Sequence, residues 1–591
     1  MRASGSSSIC AGMRGEPKTM ARIIAELFVE VLAAAGVGRI YGAAGDSLNG
    51  IGDSVRGQNG MDWVGVRDEE TAAFAAGAEA ALTGKLAVCA GRCGPGNLHL
   101  INGLYDCHRS RVPVLAIAAH IPSPEIGSGY FQEPHPERLF KECSHYCELV
   151  SNASQMPRVL EIAIQTAISR RGVSVVVIPG DIALSEVVDP GKRVVYSYRK
   201  PEVVPHWTEL DELAAELNRA QKPTILAGAG CACAHEELVE LAGKLQAPIV
   251  HTLRGKEFLE YDNPYNVGMT GLLGLSSGYC AMMDCDLLVM LGTDFPYRQF
   301  YPTRTRIVQV DIRVEQLGRR VYIDLGIVGG VAETLRALMP RVESKLRRGH
   351  LDASLEHYLQ ARMELDEMAI GNGEKPIRPQ YLAKTLDAVA ADDAVFTVDV
   401  GTPVVWAARY LTMNGRRRLL GSFNHGSIAN GLPQAIGAQT SYPGRQVVTL
   451  CGDGGVSLLM GDLLSLRHLN LPVKIVVFNN GSLGFLEPEM RAGNLSPAAD
   501  TIDLDFAKIA EGMGILGLNV KDPEKVRPAL EEAFEYPGPA LVDVAVNRQE
   551  LAMPLSLKLD QIVDFNLYMI KAILNGRVGE IADLARTNLV R

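Results

Sequence analysis

The sequence predicts an α/β protein of three doubly wound parallel-sheet domains, followed by short C-terminal amphipathic helices. Three observations predict it. Short apolar runs alternate with helix-patterned stretches in three successive blocks. A length of 591 residues suits three domains. The composition, 47% hydrophobic and 21% charged with 59 glycines, fits a loop-rich fold that buries large cores without disulfides.

Residues 1–19 are polar, rich in Gly and Ser, and lack the apolar core of a signal peptide. They are expected as a disordered tail. In the first block, 20–195, the predicted strands are GRIYGAAG, DWVGV, LAVCAG, VPVLAIAAH and VSVVVIPGD. The stretch YSYRKPEVVPHW, around 196–207, reads as a linker into the second block, 196–370. That block holds PTILAGAG, APIVHTL, DLLVMLGTDFP and RIVQVDI. KPIRPQ, near 375–380, marks the next boundary. The third block, 371–550, holds DAVFTVDVG, RQVVTLCGDGG, PVKIVVFNN and PALVDVAV. First and third blocks are similar in size, without an obvious sequence repeat.

Residues 551–591 form a tail. In it Leu567, Ile570, Leu574, Val578, Ile581 and Ala585 recur every three or four residues. Asn575-Gly576 divides the stripe into two short helices, and Lys571, Arg577 and Arg586 lie off it. Such a stripe suits docking on its own domain or lying in a membrane interface.

A net charge of −10 and a pI of 5.7 argue against nucleic acid as a partner. Eleven cysteines contain no CxxC pair. Cys143, His145 and Cys147 could suggest a metal, but without a second ligand pair nearby Cys143 and Cys147, like Cys231 and Cys233, read as packed thiols, as in a reducing cytoplasm. No apolar run reaches the roughly 18 residues of a membrane-spanning helix.

In open parallel sheets, ligands sit beyond the carboxyl ends of the strands. VVTLCGDGG sets Asp453 at such an end, between glycines that let backbone approach a bulky anion. Alone, the triplet reads more readily as a turn. After the helix-patterned SLLMGDLLSLRHLN, however, PVKIVVF ends in Asn479-Asn480, followed by GSLGF. Asp453, the Asn480 amide oxygen and a backbone carbonyl, that of Ser482, would give Mg²⁺ three protein oxygens. Two phosphate oxygens and a water would complete the octahedron. Glu69, in VRDEETAAFAAGAEA, follows DWVGV and opens an alanine-rich helix. Alone it reads as a helix-terminal carboxylate.

Gly452-Asp453-Gly454, followed after about 25 residues by Asn479-Asn480, resembles the signature of thiamine diphosphate (ThDP) enzymes. LAVCAGRCGPGNLHLINGLYDCHRSRVPVLAIAAHIPSPEIGSGYFQEPHPE, APIVHTLRGKE, VGMTGLLG, VDVGTPVVWAARYLTMNG and RLLGSFNHGS are very similar to one branch. These are the bacterial pyruvate:quinone oxidoreductases, the peripheral-membrane pyruvate oxidases. The similarity covers roughly residues 20–591. It implies pyrimidine-binding, FAD-binding and diphosphate/Mg-binding domains in the three blocks. It also implies a homotetramer with each ThDP between two subunits, on the inner face of the cell membrane. The tail would bind membrane lipid and give access to ubiquinone; Leu589 stands where an interfacial Trp is expected.

The resemblance implies roles residue by residue. Glu69 would bond the cofactor's ring N1′, with Asp68 where the family carries His and Glu70 solvated or capping. An added charge at Asp68 would raise the proton affinity of Glu69. Gly426 and Ser427 would contact the pyrimidine, and Ile428 would wedge between the two rings of ThDP. Gly401, Thr402, Gly454, Gly455, Gly481, Leu483, Gly484 and Leu486 complete the ThDP contacts. FAD contacts would be Arg254, Gly271, Leu272, Leu273, Gly274, Thr293, Asp294, Phe295, Pro296, Tyr297 and Asp311. Phe131, Gln132 and Phe485 would lie between thiazolium and flavin, and Glu489 would handle protons. Glu487, beside Pro488, puts a second carboxylate at the pocket, which would repel an anionic 2-oxo acid and slow pyruvate turnover or change the substrate.

The implied reaction is oxidative decarboxylation of pyruvate to acetate and CO₂. Alternatives are an O₂-using pyruvate oxidase, an acetolactate synthase-like carboligase and a non-oxidative 2-oxo acid decarboxylase. A non-enzyme alternative is a silent ThDP-fold regulatory or membrane-binding subunit. Presence of Glu69, Asp453 and Asn480 argues against the last, and the tail favours quinone over O₂.

Overall fold

The computed structural model describes residues 22–187, 202–371, 373, 375–482 and 504–548. Its strands form three six-stranded, wholly parallel sheets, one per block. The first comprises β1 (Arg39–Gly42), β2 (Asp62–Gly65), β3 (Ala87–Gly91), β4 (Val114–His120), β5 (Tyr146–Leu149) and β6 (Val173–Pro179). The second comprises β7 (Pro223–Ala227), β8 (Ile249–His251), β9 (Asn266–Met269), β10 (Leu287–Leu291), β11 (Arg306–Asp311) and β12 (Leu325–Val328). The third comprises β13 (Val395–Val398), β14 (Arg418–Gly421), β15 (Val447–Gly452), β16 (Lys474–Asn479), β17 (Leu516–Val520) and β18 (Ala540–Ala545).

The orders are β2-β1-β3-β4-β6-β5, β12-β11-β10-β7-β8-β9 and β14-β13-β15-β16-β18-β17. The first and third are thus the same topology. In each sheet the chain winds outward to one side and then restarts on the other. The reversals fall between β1 and β3, β7 and β10, and β13 and β15. These are the crevices where α/β sheets bind ligands.

Every inner strand is among the predicted ones. Five strands were not predicted, β5, β9, β12, β14 and β17, and all five are edge strands. Inner parallel strands are covered on both faces and read as continuous apolar runs. Edge strands such as YCEL and LGLNV carry polar, partly exposed positions and do not. The predicted stretch SLLMGDLLSLRHLN also breaks up. A helix starts at Asp453 itself (Asp453–Leu458), and a 3-10 turn (Met460–Asp462) separates it from Leu463–His468.

The first and third blocks share one core, in which the Glu69–Thr83 helix crosses the Gly431–Ser441 helix. Ala72, Ala73, Ala75, Ala76 and Ala80 are all buried, so the alanine-rich sequence serves an enclosed helix rather than an amphipathic one. At the crossing a Cβ on Gly437 would stand 2.1 Å from the Ala75 carbonyl oxygen, so only glycine fits. A buried polar clasp joins the same blocks. The Asp462 carboxylate accepts from Arg67 N (2.9 Å), Thr71 Oγ1 (2.7 Å) and Ser465 Oγ (2.6 Å).

Cys143 and Cys231 are buried as expected, but Cys233, also expected to be packed, is exposed. Among the described residues the cysteines join no metal-type cluster. No described helix is long and apolar enough to cross a membrane. The 1–19 tail, the 551–591 tail with its amphipathic stripe, and part of the linker lie outside the described residues.

Candidate functional site

At the first sheet's reversal, Glu69 is the first residue of its helix and completely buried. Arg92, just past β3, donates from Nε to Glu69 Oε1 at 2.5 Å and from Nη2 to Oε2 at 3.4 Å. That hydrogen bond raises the guanidinium's pKa above its ordinary value. His99 Nδ1 stands 3.6 Å from Glu69 Oε2 and 3.3 Å from Asp68 Oδ2. A Cβ on Gly96 would come within 2.5 Å of Glu69 Oε1, so the carboxylate occupies space that any side chain there would take.

Asp68, expected chiefly as a neighbouring charge, caps the helix by accepting from Glu70 N at 2.8 Å. Glu70 is neither solvated nor the cap. It accepts from Asn102 Nδ2 at 2.8 Å, and burial pushes its carboxyl up while Asn102 pulls the other way. Asn102 also donates to Ser427 Oγ and faces His425 Nε2, each at 2.8 Å. The predicted pyrimidine-contact loop at Gly426–Ile428 therefore stands beside the Glu69 helix within one chain. Ile428 is 39% exposed, free of the core. On the other flank, Cys93 Sγ donates to the Gln132 carbonyl at 3.2 Å, setting Gln132 and Phe131 next to Arg92. Phe131 is 78% exposed.

At the third sheet, the parallel register pairs Gly452 with Phe478. Asp453 and Asn480 thus leave the same edge of neighbouring strands. Asp453 is buried. Of the two asparagines, Asn479 is tied into the sheet through Asp543 Oδ1 (3.1 Å) and Leu504 O (3.3 Å). Asn480 stands in the loop, its Oδ1 accepting from Ser482 N at 3.1 Å and keeping a second lone pair. A buried carboxylate beside an amide oxygen is a donor set that fits a hard dication. Thr402 opens the Thr402–Tyr410 helix next to this edge, and such a helix start favours a phosphate. Gly426 and Gly481 have positive φ (84° and 63°), and among the described residues no atom beyond their own chain neighbours lies within 4 Å of where their Cβ would stand. That open cradle fits a bulky diphosphate cofactor.

Sequence reasoning missed Asp399 and Arg92. Asp399, one residue past β13, is buried, and its Oδ1 accepts from Gly431 N at 2.7 Å. Among the described residues its Oδ2 has no hydrogen-bond partner, and it lies 2.1 Å from where a Gly455 Cβ would be, so Gly455 rests directly on the carboxyl. Burial pushes that carboxyl up to about 7. Both residues sit at strand ends beside the reversals, the same signal that selected Asp453. Leu483, Gly484, Phe485, Leu486, Glu487, Pro488 and Glu489 lie outside the described residues.

Past β9, at the edge of the second sheet, Gly271 (φ 97°) and Gly274 follow Thr270, whose buried Oγ1 has no hydrogen-bond partner among the described residues, while Thr293 follows β10 at the reversal itself. A buried donor left open beside glycines fits a polar ligand reaching this strand end. Leu272, Pro296 and Tyr297 are exposed and Thr293 is buried. Phe295 is buried among Tyr297, Phe300 and Tyr301, and its ring stands 3.0 Å from where a Gly271 Cβ would be. Three expected contacts are engaged within the protein. Asp311 Oδ1 accepts from Arg313 N (3.0 Å), Asp294 Oδ2 from Arg111 Nη2 (3.0 Å), and Arg254 Nη2 donates to Ser110 O (3.1 Å). Leu273 gives its carbonyl to Arg409 Nε at 3.3 Å.

Three family models match in order. They are the thiamine pyrophosphate enzyme N-terminal TPP binding domain (22–139), central domain (210–338) and C-terminal TPP binding domain (399–544). Thiamine pyrophosphate, TPP, is another name for ThDP. The chain is 62% identical over 346 residues to an uncharacterized 42.6 kDa protein of Pseudomonas amyloderamosa, covering 58% of this chain and 87% of that one. It is 30% identical over 543 residues to the pyruvate oxidase of Lactiplantibacillus plantarum, covering 90% of each. It is 29% identical over 579 residues to the acetolactate synthase large subunit of Parasynechococcus marenigrum, covering 94% and 92%.

Proposed function

The chain belongs to the thiamine pyrophosphate enzyme family, and from that premise we propose that it converts pyruvate and water to acetate and CO₂. Two electrons and two protons pass by way of FAD to ubiquinone. The observation that carries the reading is the buried carboxylate of Glu69 at one reversal, matched by the Asp453–Asn480 oxygen pair at the equivalent reversal. When bound, ThDP supplies the electron sink for CO₂ loss and FAD the two-electron acceptor.

Glu69 holds a proton at the ring nitrogen of ThDP. Asp453, Asn480 and the Ser482 carbonyl hold Mg²⁺ on its diphosphate, with Gly401, Thr402, Gly454, Gly455 and Gly481 lining the approach. Ile428 orients the two rings, and Gly426 and Ser427 contact the pyrimidine. Phe131 and Gln132 shield the reacting carbon from water. The Thr270–Gly274 and Thr293–Tyr297 segments cradle FAD, with Thr270 Oγ1 open to receive it. The reading includes a homotetramer at the inner face of the cell membrane, held to lipid by the C-terminal tail.

Near-equal identity to an oxidase and a synthase supports a second reading, carboligation to acetolactate. The purified protein, loaded with ThDP, Mg²⁺ and FAD, is mixed with pyruvate without oxygen. Bleaching of the flavin, reduction of an added quinone and release of acetate are expected. Acetolactate formed without quinone reduction would replace oxidation with carboligation.

A further inference from the structure

We propose that Arg92 occupies the position on Glu69 that the cofactor's aminopyrimidine ring takes, so that the ring enters by displacing the guanidinium. The inference rests on the reading of Glu69 as the ring's partner. Three observations carry it.

First, Arg92 meets both oxygens of a completely buried carboxylate. With both oxygens so engaged, the ring nitrogen has no place on the carboxyl group. Second, the slot is shaped for this side chain. A Cβ on Gly45 would stand 2.3 Å from Arg92 Cδ, and one on Gly96 would stand 3.0 Å from Arg92 Cβ. Third, the guanidinium has somewhere to go. The Arg92 side chain is 40% exposed, and the exposed Asp46 carboxylate also acts on its charge. Once the guanidinium leaves, both carboxyl oxygens of Glu69 are free to meet the ring. Arg92 is thus a positioning residue. It keeps the empty pocket's charge balanced and opposes the cofactor's first contact.

The test measures ThDP binding to apo-protein by calorimetric titration at saturating Mg²⁺. It also measures hydrogen–deuterium exchange at C2 of bound ThDP by NMR. Arg92→Met removes the charge and keeps the bulk; Arg92→Lys keeps a charge but loses the fork. Arg92→Met is expected to bind ThDP about fivefold tighter, the gain of removing a competing part-exposed ion pair, with Arg92→Lys in between. In a Glu69→Gln background, Arg92→Met should leave affinity unchanged. Equal or weaker ThDP affinity in both single variants overturns the proposal. Should the Met variant fail to fold, the Lys variant decides by the same comparison. The two claims fail separately. If Glu69→Gln leaves C2 exchange at the wild-type rate, the assignment of Glu69 is wrong. If Glu69→Gln abolishes exchange while both Arg92 variants match wild type, only the Arg92 proposal falls.

Discussion

The first and third sheets wind in the same order, yet their reversals hold opposite kinds of site. At the first, a buried carboxylate is met by side-chain donors, Arg92 closely and His99 at longer range. At the third, side-chain oxygens stand among glycines that leave space open, and the Asn480 oxygen is set by a backbone N–H. Topology decides where a ligand lies; the few residues past each strand decide its chemistry. One reversal suits a neutral ring that exchanges a proton, the other a metal and its phosphates.

Breaking the third site should have the largest effect. Asp453→Ala is expected to weaken Mg²⁺-dependent ThDP binding by about 100-fold or more, as loss of a direct ligand costs at least what loss of an outer partner does. Titration calorimetry reads it. Glu69→Gln should separate the two sites. ThDP affinity should stay within about tenfold while turnover falls roughly 10²- to 10⁴-fold, the range of a lost proton-transfer group. Equal losses of binding in the two variants would erase the contrast.

Gly437→Ala tests the seam joining the two sheets. A methyl 2.1 Å from the Ala75 oxygen forces the helices apart, at a cost of about 1–3 kcal/mol in urea denaturation. The smallest effect is one of slope. The folded state raises the Asp399 carboxyl to about 7, so between about pH 4 and 7 the native chain holds a proton the unfolded chain has lost. Stability therefore falls as pH rises through that window, by at most about 1.4 kcal/mol per pH unit. Asp399→Asn should flatten the dependence of Tm on pH there. It should not abolish it, because burial also pushes Asp106 up to about 6.

The fold class and all twelve inner strands were legible because parallel strands covered on both faces leave unbroken apolar runs; the edge strand β2 was also read, although only Val64 of its DWVG is buried. β5 was not: its YCEL carries no continuous apolar run, and its Cys147 reads only as a packed thiol. Asp453 and Asn480 were legible because glycine and asparagine punctuate strand ends. Arg92 sits in GRCGPGN at an equally plain strand end. A lone arginine has many surface uses, and only the folded distance to Glu69 singles it out. Asp462 and Asn102 were illegible for a simpler reason. Their partners lie hundreds of positions away, at Thr71 and Ser427, and no local pattern records such pairings.

The Asp462 carboxylate grips the chain on either side of Glu69, at Arg67 and Thr71, from a turn that directly follows the Asp453 helix. Neither segment can slide past the other without tearing hydrogen bonds from a buried acid. The two halves of the molecule are therefore geared: whatever shifts the metal-side turn also pulls on the start of the helix that carries Glu69.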